Sequence, residues 1–514
     1  MSQNRCLCEN HVSAKFKRGS GIMLPIFSLP SKGGIGTLGI EAYNFVDFLE
    51  EAKQKYWQVL PIGHTGFGDS PYSCYSFFAG NPLFIDITMI EEEGLVQRNC
   101  QIVNELKAQE DNSRINYGEV IKQKYNQLWK VYKNCRTEIK TEILEFLDKN
   151  EKWVYDYGIF MALKDQFDGK PIWEWPEKIR KRDNETIGEY WNKLRDRINF
   201  YLFIQFLFFK QWNKLKEYAN TKGIKIIGDM PIYPAADSCE IWTHPELFKV
   251  DFNTLKAQYV SGVPGEEEND PGQNWGNPVY NWQQNKDKNY SWIKYRYQHC
   301  LEIYDIVRLD HFRGYANYWE IPAKANSPIE GMWKQGPGMN LFNSLFKDLG
   351  KLNCIAEDLG NIDDEVFDLI NQTGFQGMKV MIYGLHQDEN NMYLPHNWSD
   401  NCVAYLSTHD SETLLEAINN LSNKDREFAV EYVGKTYSIE DLTDCFIRTI
   451  YQSNANIVIL TMQDLLRLGK EGRMNIPGTV NSNWSWRIDH NIKEKDIMIN
   501  IKEKLSIMVE TYKR

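Results

Sequence analysis

Short apolar segments recur along this 514-residue chain, and longer amphipathic stretches separate them. We predict that eight of these segments are β-strands, at residues 21–26, 56–62, 224–230, 304–310, 352–358, 378–383, 402–407 and 456–460. This alternation is typical of βα units arranged around a parallel sheet. Because eight such units close a (β/α)8 barrel, the predicted fold class is α/β, a TIM barrel.

Two connections are too long to hold a single helix. Residues 63–223 lie between the second and third predicted strands, and a connection of that length must carry its own secondary structure. We therefore expect a mainly helical insertion at 92–200, which includes the Lys/Glu-rich stretch 117–147. A second insertion, at 231–300, is expected to supply loops to a cleft. The whole chain, 1–514, is then one decorated catalytic barrel.

Charge and hydropathy argue against several classes of protein. A net charge of −11 and a pI of about 5.5 disfavour binding to nucleic acid or to an anionic membrane. The apolar run 200–209 is too short to span a bilayer and predicts a buried helix. The N-terminal residues lack the apolar stretch of a signal peptide, so we expect a cytoplasmic protein with no membrane partner.

The ten cysteines show no repeating spacing, and we expect buried free thiols in a cytosolic chain. Cys6, Cys8 and His11 resemble part of a metal site, but the ligand set is incomplete. We therefore expect no metal and no organic cofactor.

Acidic residues stand at or just past the ends of several predicted strands. In a barrel these ends open onto one face, where active sites are built. A single acid at such a position is equally well explained as a helix N-cap, and Asp464 fits that alternative best. The full set is Asp229, Asp310, Glu357, Asp410 and Asp464.

The segment 306–314 places charges inside an apolar strand. Residues i and i+2 of a strand share a face, so Arg308 and Asp310 should point together into the barrel. We expect the guanidinium to keep the pKa of Asp310 low, which suits a nucleophile that attacks an anomeric carbon. The alternative is a purely structural buried ion pair.

A nucleophile of this kind needs a proton donor on the other side of the scissile bond. Glu357 follows the next strand, and apolar surroundings with nearby negative charge should raise its pKa. Its neighbour Asp358 should point to the opposite face. Asp410 and His409 are placed to hydrogen-bond sugar hydroxyls, so the pattern favours glycoside chemistry.

Several motifs together resemble the 4-α-glucanotransferases of glycoside hydrolase family 77, within the α-amylase clan. They are SGIMLPIFSLPSKGGIGTLG, WQVLPIGHTGFGDSPYSCYSFFAGNPLFID, GDMPIYPAADSCEIW, WGNPVYNW, VRLDHFRGYANYWEIPA, AEDLG, STHD and RMNIPGTVNSNWSWR, in family order. The resemblance implies that Asp310 is the nucleophile, Glu357 the acid/base and Asp410 the transition-state stabiliser. It also implies a barrel without a separate C-terminal β-domain. The expected substrate-binding residues are Arg308, His311, His409, Trp275, Asn277, Tyr72 and Asp229.

The chain departs from the family pattern in three places. Members of the family usually carry aromatic residues before the WGNP motif, but this chain has acids there, over Glu266–Asp270. It also has the sequence THDSE where THDND is more common, and His64 where a proline is usual. Trp275 is expected to stack on glucose, with core packing as its alternative, while Trp484 and Trp486 are interpreted as structural.

The resulting prediction is a retaining 4-α-glucanotransferase that acts on maltooligosaccharides through a covalent glucosyl-enzyme. Retention requires the carboxyl groups of Asp310 and Glu357 to lie about 5–6 Å apart. The alternatives are an α-1,4-glucan hydrolase, which the altered loop favours, and a non-catalytic glucan-binding protein. We expect a monomer or a weak homodimer.

Overall fold

The computed structural model describes residues 16–96, 113–135, 139–265, 270–386, 388, 390–434, 439–480, 482–489 and 496–514. In these residues the strands are β1 (Gly19–Met23), β2 (Tyr56–Gln58), β3 (Lys225–Met230), β4 (Tyr259–Val263), β5 (Gln273–Pro278), β6 (Ile306–Leu309), β7 (Asn317–Pro322), β8 (Met332–Gln335), β9 (Cys354–Ala356), β10 (Gln376–Val380), β11 (Cys402–Tyr405) and β12 (Ile457–Thr461). Eight of them form a closed parallel barrel in the order β1-β12-β11-β10-β9-β6-β3-β2.

The barrel confirms the predicted fold class, and each of its strands overlaps one of the predicted apolar segments. Within the barrel, β6 lies between β3 and β9, with Arg308 opposite Asp229 on one side and Ile355 on the other. This register brings the charged end of β6 next to the acidic ends of both neighbouring strands.

The helices are α1 (Ile40–Glu51), α2 (Ile87–Glu92), α3 (Tyr117–Lys133), α4 (Lys140–Lys149), α5 (Val154–Gln166), α6 (Glu177–Arg180), α7 (Asn184–Lys193), α8 (Arg195–Thr221), α9 (Cys239–Thr243), α10 (Trp282–Asp287), α11 (Ser291–Ile303), α12 (Arg313–Ala316), α13 (Gly338–Leu349), α14 (Asp364–Thr373), α15 (Leu414–Asn420), α16 (Asn423–Val433), α17 (Ile439–Gln452), α18 (Met462–Leu465) and α19 (Asp496–Tyr512). Helices α3 to α8 lie between β2 and β3, so the long connection carries helical structure.

Helix α8 links this helical region to the barrel. Its apolar stretch 200–209 is buried, as predicted, and its rings contact those of α3 and α4, as in the pairs Trp129–Phe200 and Phe146–Phe206. Among the described residues, no helix is long and apolar enough to cross a membrane.

A second sheet, which the sequence reasoning missed, stands beside the barrel. Its antiparallel strands follow the order β5-β4-β7-β8. Strands β4 and β5 come from the segment between β3 and β6, whereas β7 and β8 follow β6. The sheet therefore joins parts of the chain on both sides of the central barrel strand β6.

Candidate active site

Charged side chains collect at the carboxyl ends of β3, β6, β9 and β11. Asp229 lies within β3, Arg308 within β6, and Asp310 directly after β6. Glu357 follows β9, and Asp410 lies in the loop after β11. These residues meet because parallel barrel strands end on the same face.

Arg308 is the centre of this cluster. Its Nη1 donates to both carboxylate oxygens of Asp229, at 2.9 and 2.7 Å, and to Oδ1 of Asp310 at 3.0 Å. Its Nη2 lies 4.0 Å from Oε2 of Glu357. The shared face predicted for Arg308 and Asp310 is confirmed, and one buried guanidinium faces three carboxylates.

Backbone amides hold the Glu357 carboxylate in place. Oε2 accepts from the backbone N–H of His311 at 2.7 Å, and Oε1 accepts from that of Leu359 at 3.0 Å. His311 has a φ of +46°, a left-handed conformation that is uncommon outside glycine and aims its N–H at the acid. The neighbouring Asp358 points away, as predicted, and accepts from the backbone N–H of Met378 at 2.6 Å.

Asp410 is held by two side chains. His409 Nε2 lies 2.9 Å from its Oδ2, and Asn475 Nδ2 donates to its Oδ1 at 2.8 Å. The Tyr72 hydroxyl lies 2.7 Å from the same His409 nitrogen and donates to Oδ2 of Asp229 at 2.8 Å. Tyr72 thus links the Asp410 side of the site to the Arg308 cluster.

The carboxyl groups have pKa values that move in different directions. Burial raises the pKa of Asp310 well above its usual range; Arg308 opposes this rise, and Asp229, Glu357 and Asp410 add to it. The expectation of a low pKa for Asp310 was therefore wrong, because burial and crowding with carboxylates outweigh the guanidinium. Burial likewise raises the pKa of Glu357, against Arg308 and the two backbone donors, which confirms that expectation.

Asp410 behaves in the opposite way. Burial raises its pKa, but the neighbouring His409, hydrogen bonds from His409 and Asn475, and the Arg308 charge together lower it to about 2. Asp410 is therefore ionised at every pH at which the protein would be assayed, whereas the raised pKa values of Asp310 and Glu357 favour their protonated forms relative to free carboxyl groups.

Aromatic rings line the two ends of the site. Trp275 is 37% exposed and meets the His311 ring edge-to-face, with a centroid distance of 4.7 Å. Tyr72 stacks on His409 at 5.5 Å. Asn277 Nδ2 donates to the backbone oxygen of Pro234 at 2.8 Å, so this side chain ties β5 to the loop after β3.

Asp464 does not join the cluster. Its carboxylate accepts from the Ser407 hydroxyl at 2.6 Å and from the backbone N–H of Leu414, the first residue of α15, at 2.7 Å. The predicted role of Asp464 as an N-cap was wrong, because Thr461 caps its own helix α18, and Asp464 instead accepts from the first backbone N–H of α15.

Two predictions fall on residues that the structure does not describe. The candidate metal ligands Cys6, Cys8 and His11 lie in residues 1–15, and residues 266–269 include three of the four acids of the altered loop, all but Asp270. These predictions remain untested.

Sequence reasoning missed Asn475, and it gave Trp484 a purely structural role. Trp484 is buried, yet its ring lies 5.6 Å from that of Tyr72 and 6.1 Å from that of His409. Both residues come from the segment after β12, far along the chain from the acids. Only the RMNIPGTVNSNWSWR motif could have pointed to them.

The comparisons with known proteins agree with this geometry. A family model described as 4-alpha-glucanotransferase, glycoside hydrolase family 77, matches residues 24–492. A 4-alpha-glucanotransferase of Clostridium butyricum is 42% identical over 468 residues, covering 91% of this chain and 96% of the relative. That of Aquifex aeolicus is 41% identical and covers 93% of this chain and 97% of its own.

Solved structures point to the same family. The amylomaltase from Streptococcus agalactiae in complex with acarbose superposes with a TM-score of 0.92 at 40% identity, covering 97% of this chain and 100% of that one. An amylomaltase from Corynebacterium glutamicum has a TM-score of 0.79 at 16% identity, covers 95% of this chain and 75% of that one, and shares the fold. The chain therefore belongs to the 4-α-glucanotransferases of glycoside hydrolase family 77.

Proposed function

We propose that this chain moves α-1,4-glucan segments between maltooligosaccharides by double displacement, with retention at the anomeric carbon. One observation carries the proposal: the Arg308 guanidinium lies 3.0 Å from Asp310 and 4.0 Å from Glu357. The two acids therefore flank a single point at the barrel mouth. Glycosidases place a pair of carboxyl groups on either side of the bond to be broken, and retaining enzymes hold the two groups about 5–5.5 Å apart.

In the first step, a carboxylate oxygen of Asp310 attacks C1 of the glucose unit at the bond to be broken. Glu357 gives its proton to the bridging oxygen, so the shorter glucan leaves as an alcohol and the rest stays bound to Asp310 as an ester. The raised pKa of Glu357 favours the protonated form that this step requires. The Arg308 hydrogen bond orients the Asp310 oxygen before attack.

In the second step, the 4-hydroxyl of an acceptor sugar attacks C1 of this ester. Glu357, now ionised, takes the hydroxyl proton, and the ester bond to Asp310 breaks as the new α-1,4 bond forms. The two backbone N–H groups that hold Glu357 stabilise its charged form between the steps. The same residue thus acts as acid and then as base.

Asp410 is assigned to the charge that develops on the sugar ring. Its ionised carboxylate is fixed by Asn475 and His409, and 41% of its side chain remains exposed to the cleft. A fixed negative charge beside an oxocarbenium-like ring lowers the barrier without moving during the reaction. Tyr72 completes the wall on the side of His409 and donates to Asp229, whose side chain is fully buried behind it.

Glucose units on either side of the broken bond are assigned to the aromatic rings. Trp275 and His311 form one exposed corner next to Glu357, where an acceptor sugar approaches. Asn277 anchors β5, the strand that carries Trp275, to the loop after β3.

Incubation of pure protein with maltotriose tests the proposal. Longer and shorter oligomers without a net gain of reducing ends indicate transfer, whereas a net gain indicates the alternative hydrolase, and unchanged maltotriose indicates a binding protein. Asp358→Asn is a matched control, since Asp358 adjoins Glu357 but is buried against Met378 and should leave turnover intact.

The altered loop is assigned a separate effect on acceptor capture. Glutamates prefer hydration and offer no ring to cover the intermediate, so water should compete better with the acceptor. Replacing Glu266–Asp270 by Pro-Asp-Tyr-Phe-Ser should raise the ratio of transfer to hydrolysis on maltotriose; an unchanged or lower ratio would reject this assignment.

A cytoplasmic location is also proposed. It is supported by buried thiols that form no disulfide, at Cys74, Cys239, Cys300, Cys354 and Cys402. Cell fractionation followed by immunoblotting tests this location.

A further inference from the structure

His64 is a buried histidine that the proposed mechanism does not use, at a position where the family pattern has a proline. Its Nδ1 lies 2.8 Å from the hydroxyl of Tyr157 in α5, and its Nε2 lies 2.9 Å from the hydroxyl of Tyr125 in α3. Both helices belong to the region between β2 and β3. Proline has no polar side-chain atom, so the histidine adds two hydrogen bonds to the helical region that the usual residue could not make.

A third side chain sets the direction of these hydrogen bonds. Gln205 of α8 accepts from the backbone N–H of Gly80 at 2.8 Å and donates to its oxygen at 2.9 Å, which fixes the orientation of the amide. The same Nε2 of Gln205 donates to the Tyr157 hydroxyl at 3.2 Å, so Tyr157 can donate its own proton to His64 Nδ1. Nε2 of a neutral His64 then donates to Tyr125. Burial lowers the pKa of His64 to about 3, which agrees with a neutral ring.

The backbone of His64 belongs to the segment that carries Tyr72. We call this segment, residues 63–80, the Tyr72 loop. The His64 N–H donates to the oxygen of Ala79 at 3.1 Å, and the His64 oxygen accepts from the N–H of Tyr75 at 2.8 Å. The residues on either side of His64 form antiparallel bridges with the same returning arm. His64 therefore fixes the arm of the loop that leads back to Tyr72.

At the other end of the loop, Tyr72 meets the catalytic cluster. Its hydroxyl donates to Oδ2 of Asp229 at 2.8 Å and lies 2.7 Å from Nε2 of His409. Asp229 accepts from Arg308, and His409 holds Asp410. Contacts therefore run from the helical region, through the loop, to both sides of the site.

We propose that His64 is a positioning residue, through which the helical region fixes Tyr72 for the transfer reaction. This inference rests on the proposed function and gives the helical insertion a part in it. Because Tyr72 orients groups that stabilise the transition state, loss of this support should lower kcat more than it raises KM. The loss should be partial, because Glu240 also holds the returning arm, by accepting from the Ser76 hydroxyl at 2.8 Å and from the Phe77 N–H at 3.0 Å.

Three substitutions test the hydrogen bonds of His64. His64→Leu keeps a similar volume but removes both bonds, and we expect it to lower kcat for maltotriose about tenfold, with KM within about twofold of wild type. His64→Gln offers one acceptor and one donor and should restore most of kcat. Tyr157→Phe removes a single hydroxyl, which is a milder change than His64→Leu, and should lower kcat about threefold.

Tyr201→Phe is the matched control, because Tyr201 is also buried in the helical region but its hydroxyl donates to Asp165, at 2.8 Å. It should lower the melting temperature about as much as Tyr157→Phe and leave kcat unchanged. A kcat within about twofold of wild type for folded His64→Leu would overturn the inference. Equal losses of kcat in Tyr201→Phe and Tyr157→Phe would also overturn it, since the effect would then follow stability.

A double-mutant cycle shows whether His64 acts through Tyr72. Tyr72→Phe removes the hydroxyl that meets Asp229 and His409, so this variant should itself have a lower kcat. If His64 acts by placing that hydroxyl, His64→Leu should change kcat by less than about twofold in the Tyr72→Phe background. The full loss of kcat in that background would mean that the two residues act independently, and would overturn the inference.

Crystal structures of the wild-type, His64→Leu and Tyr201→Phe proteins test the inference even if the chain does not turn over maltotriose, a result that would refute the proposed function alone. The Tyr72 hydroxyl should leave hydrogen-bonding distance of Asp229 or His409 in His64→Leu and keep both contacts in Tyr201→Phe. A Tyr72 ring in the same place in all three proteins would overturn the inference.

Discussion

Replacing the proposed nucleophile by its neutral isostere should remove activity and leave the protein as stable as before, or more stable. Asp310→Asn keeps the shape of the side chain and an oxygen that can accept the Arg308 hydrogen bond. It removes a carboxylate from a buried cluster where one guanidinium already serves Asp229. Burial and neighbouring carboxylates raise the pKa of Asp310, so its ionised form is less favoured in the folded protein than in the unfolded chain.

The distances allow the opposing energies to be compared. Arg308 Nη1 lies 3.0 Å from Asp310, which at an effective dielectric constant of ~20 is an attraction of about 5.5 kcal/mol. The same nitrogen lies 2.7 Å from Asp229, so the two carboxylates are within about 6 Å and repel by about 3 kcal/mol. Desolvation of Asp310 costs several kcal/mol more. We therefore expect Asp310→Asn to change the free energy of unfolding by between 0 and about +2 kcal/mol.

Two measurements check this prediction. The melting temperature should stay constant or rise by about 1–3 °C, while turnover of maltotriose falls by about four orders of magnitude. Asp464→Asn is a matched control with the opposite expectation, because Asp464 stabilises a helix start and touches no reacting group. A fall of several degrees for Asp310→Asn would support the structural ion pair, and activity within a hundredfold of wild type would exclude Asp310 as the nucleophile.

Further predictions concern the other polar groups. Glu357→Gln puts an amide NH2 against a backbone N–H, so we expect about 1–3 kcal/mol less stability and no maltotriose transfer, whereas fluoride release from α-glucosyl fluoride persists. Asn475→Ala should raise the pKa of Asp410 from about 2, which moves the acidic limb of the kcat profile to higher pH and lowers kcat about tenfold. Burial lowers the pKa of His64 to about 3 and of His299 to about 4, both from 6.5. Between about pH 6.5 and 4, therefore, only the unfolded state binds a proton at each of these histidines. Their contribution to the free energy of unfolding is complete above pH 6.5, and below it the free energy of unfolding should decrease by about 1.4 kcal/mol for each histidine and each unit by which the pH is lowered. Urea titrations at a series of pH values measure this decrease.

The barrel could be predicted because its strands are buried on both faces and therefore stand out as apolar runs in the sequence. The second sheet could not, since β5 reads QNWGNP and β8 reads MWKQ, without the alternation that marks a strand. These strands form because neighbours from distant parts of the chain pair with them. The local sequence pattern does not predict such pairing between distant segments.

The same limit applies within the site. Strand ends predicted that Asp310 and Glu357 would meet, because the geometry of a parallel barrel demands it. The ion pair between Asp229 and Arg308 depends on the register between β3 and β6, and no sequence motif predicts that register. This is why the pKa of Asp310 was expected to be low: the sequence shows the cation two residues away and not its other partner.

The cluster of acids around Arg308 carries more negative than positive charge, and this excess has a use in the reaction. Within the described part of the chain, Arg308 is the one guanidinium in contact with Asp229, Asp310 and Glu357, and ionised Asp410 faces the same cleft. With a proton on Glu357, the remaining carboxylates exceed the guanidinium charge, and this excess is unfavourable in the empty site. The excess is compensated when positive charge develops on the sugar ring at C1, since a fixed negative field then stabilises the transition state more than the bound substrate. Removing Arg308 should therefore weaken the orientation of Asp310, whereas adding a second cation beside Asp410 should slow the reaction even if the glucan binds as tightly as before.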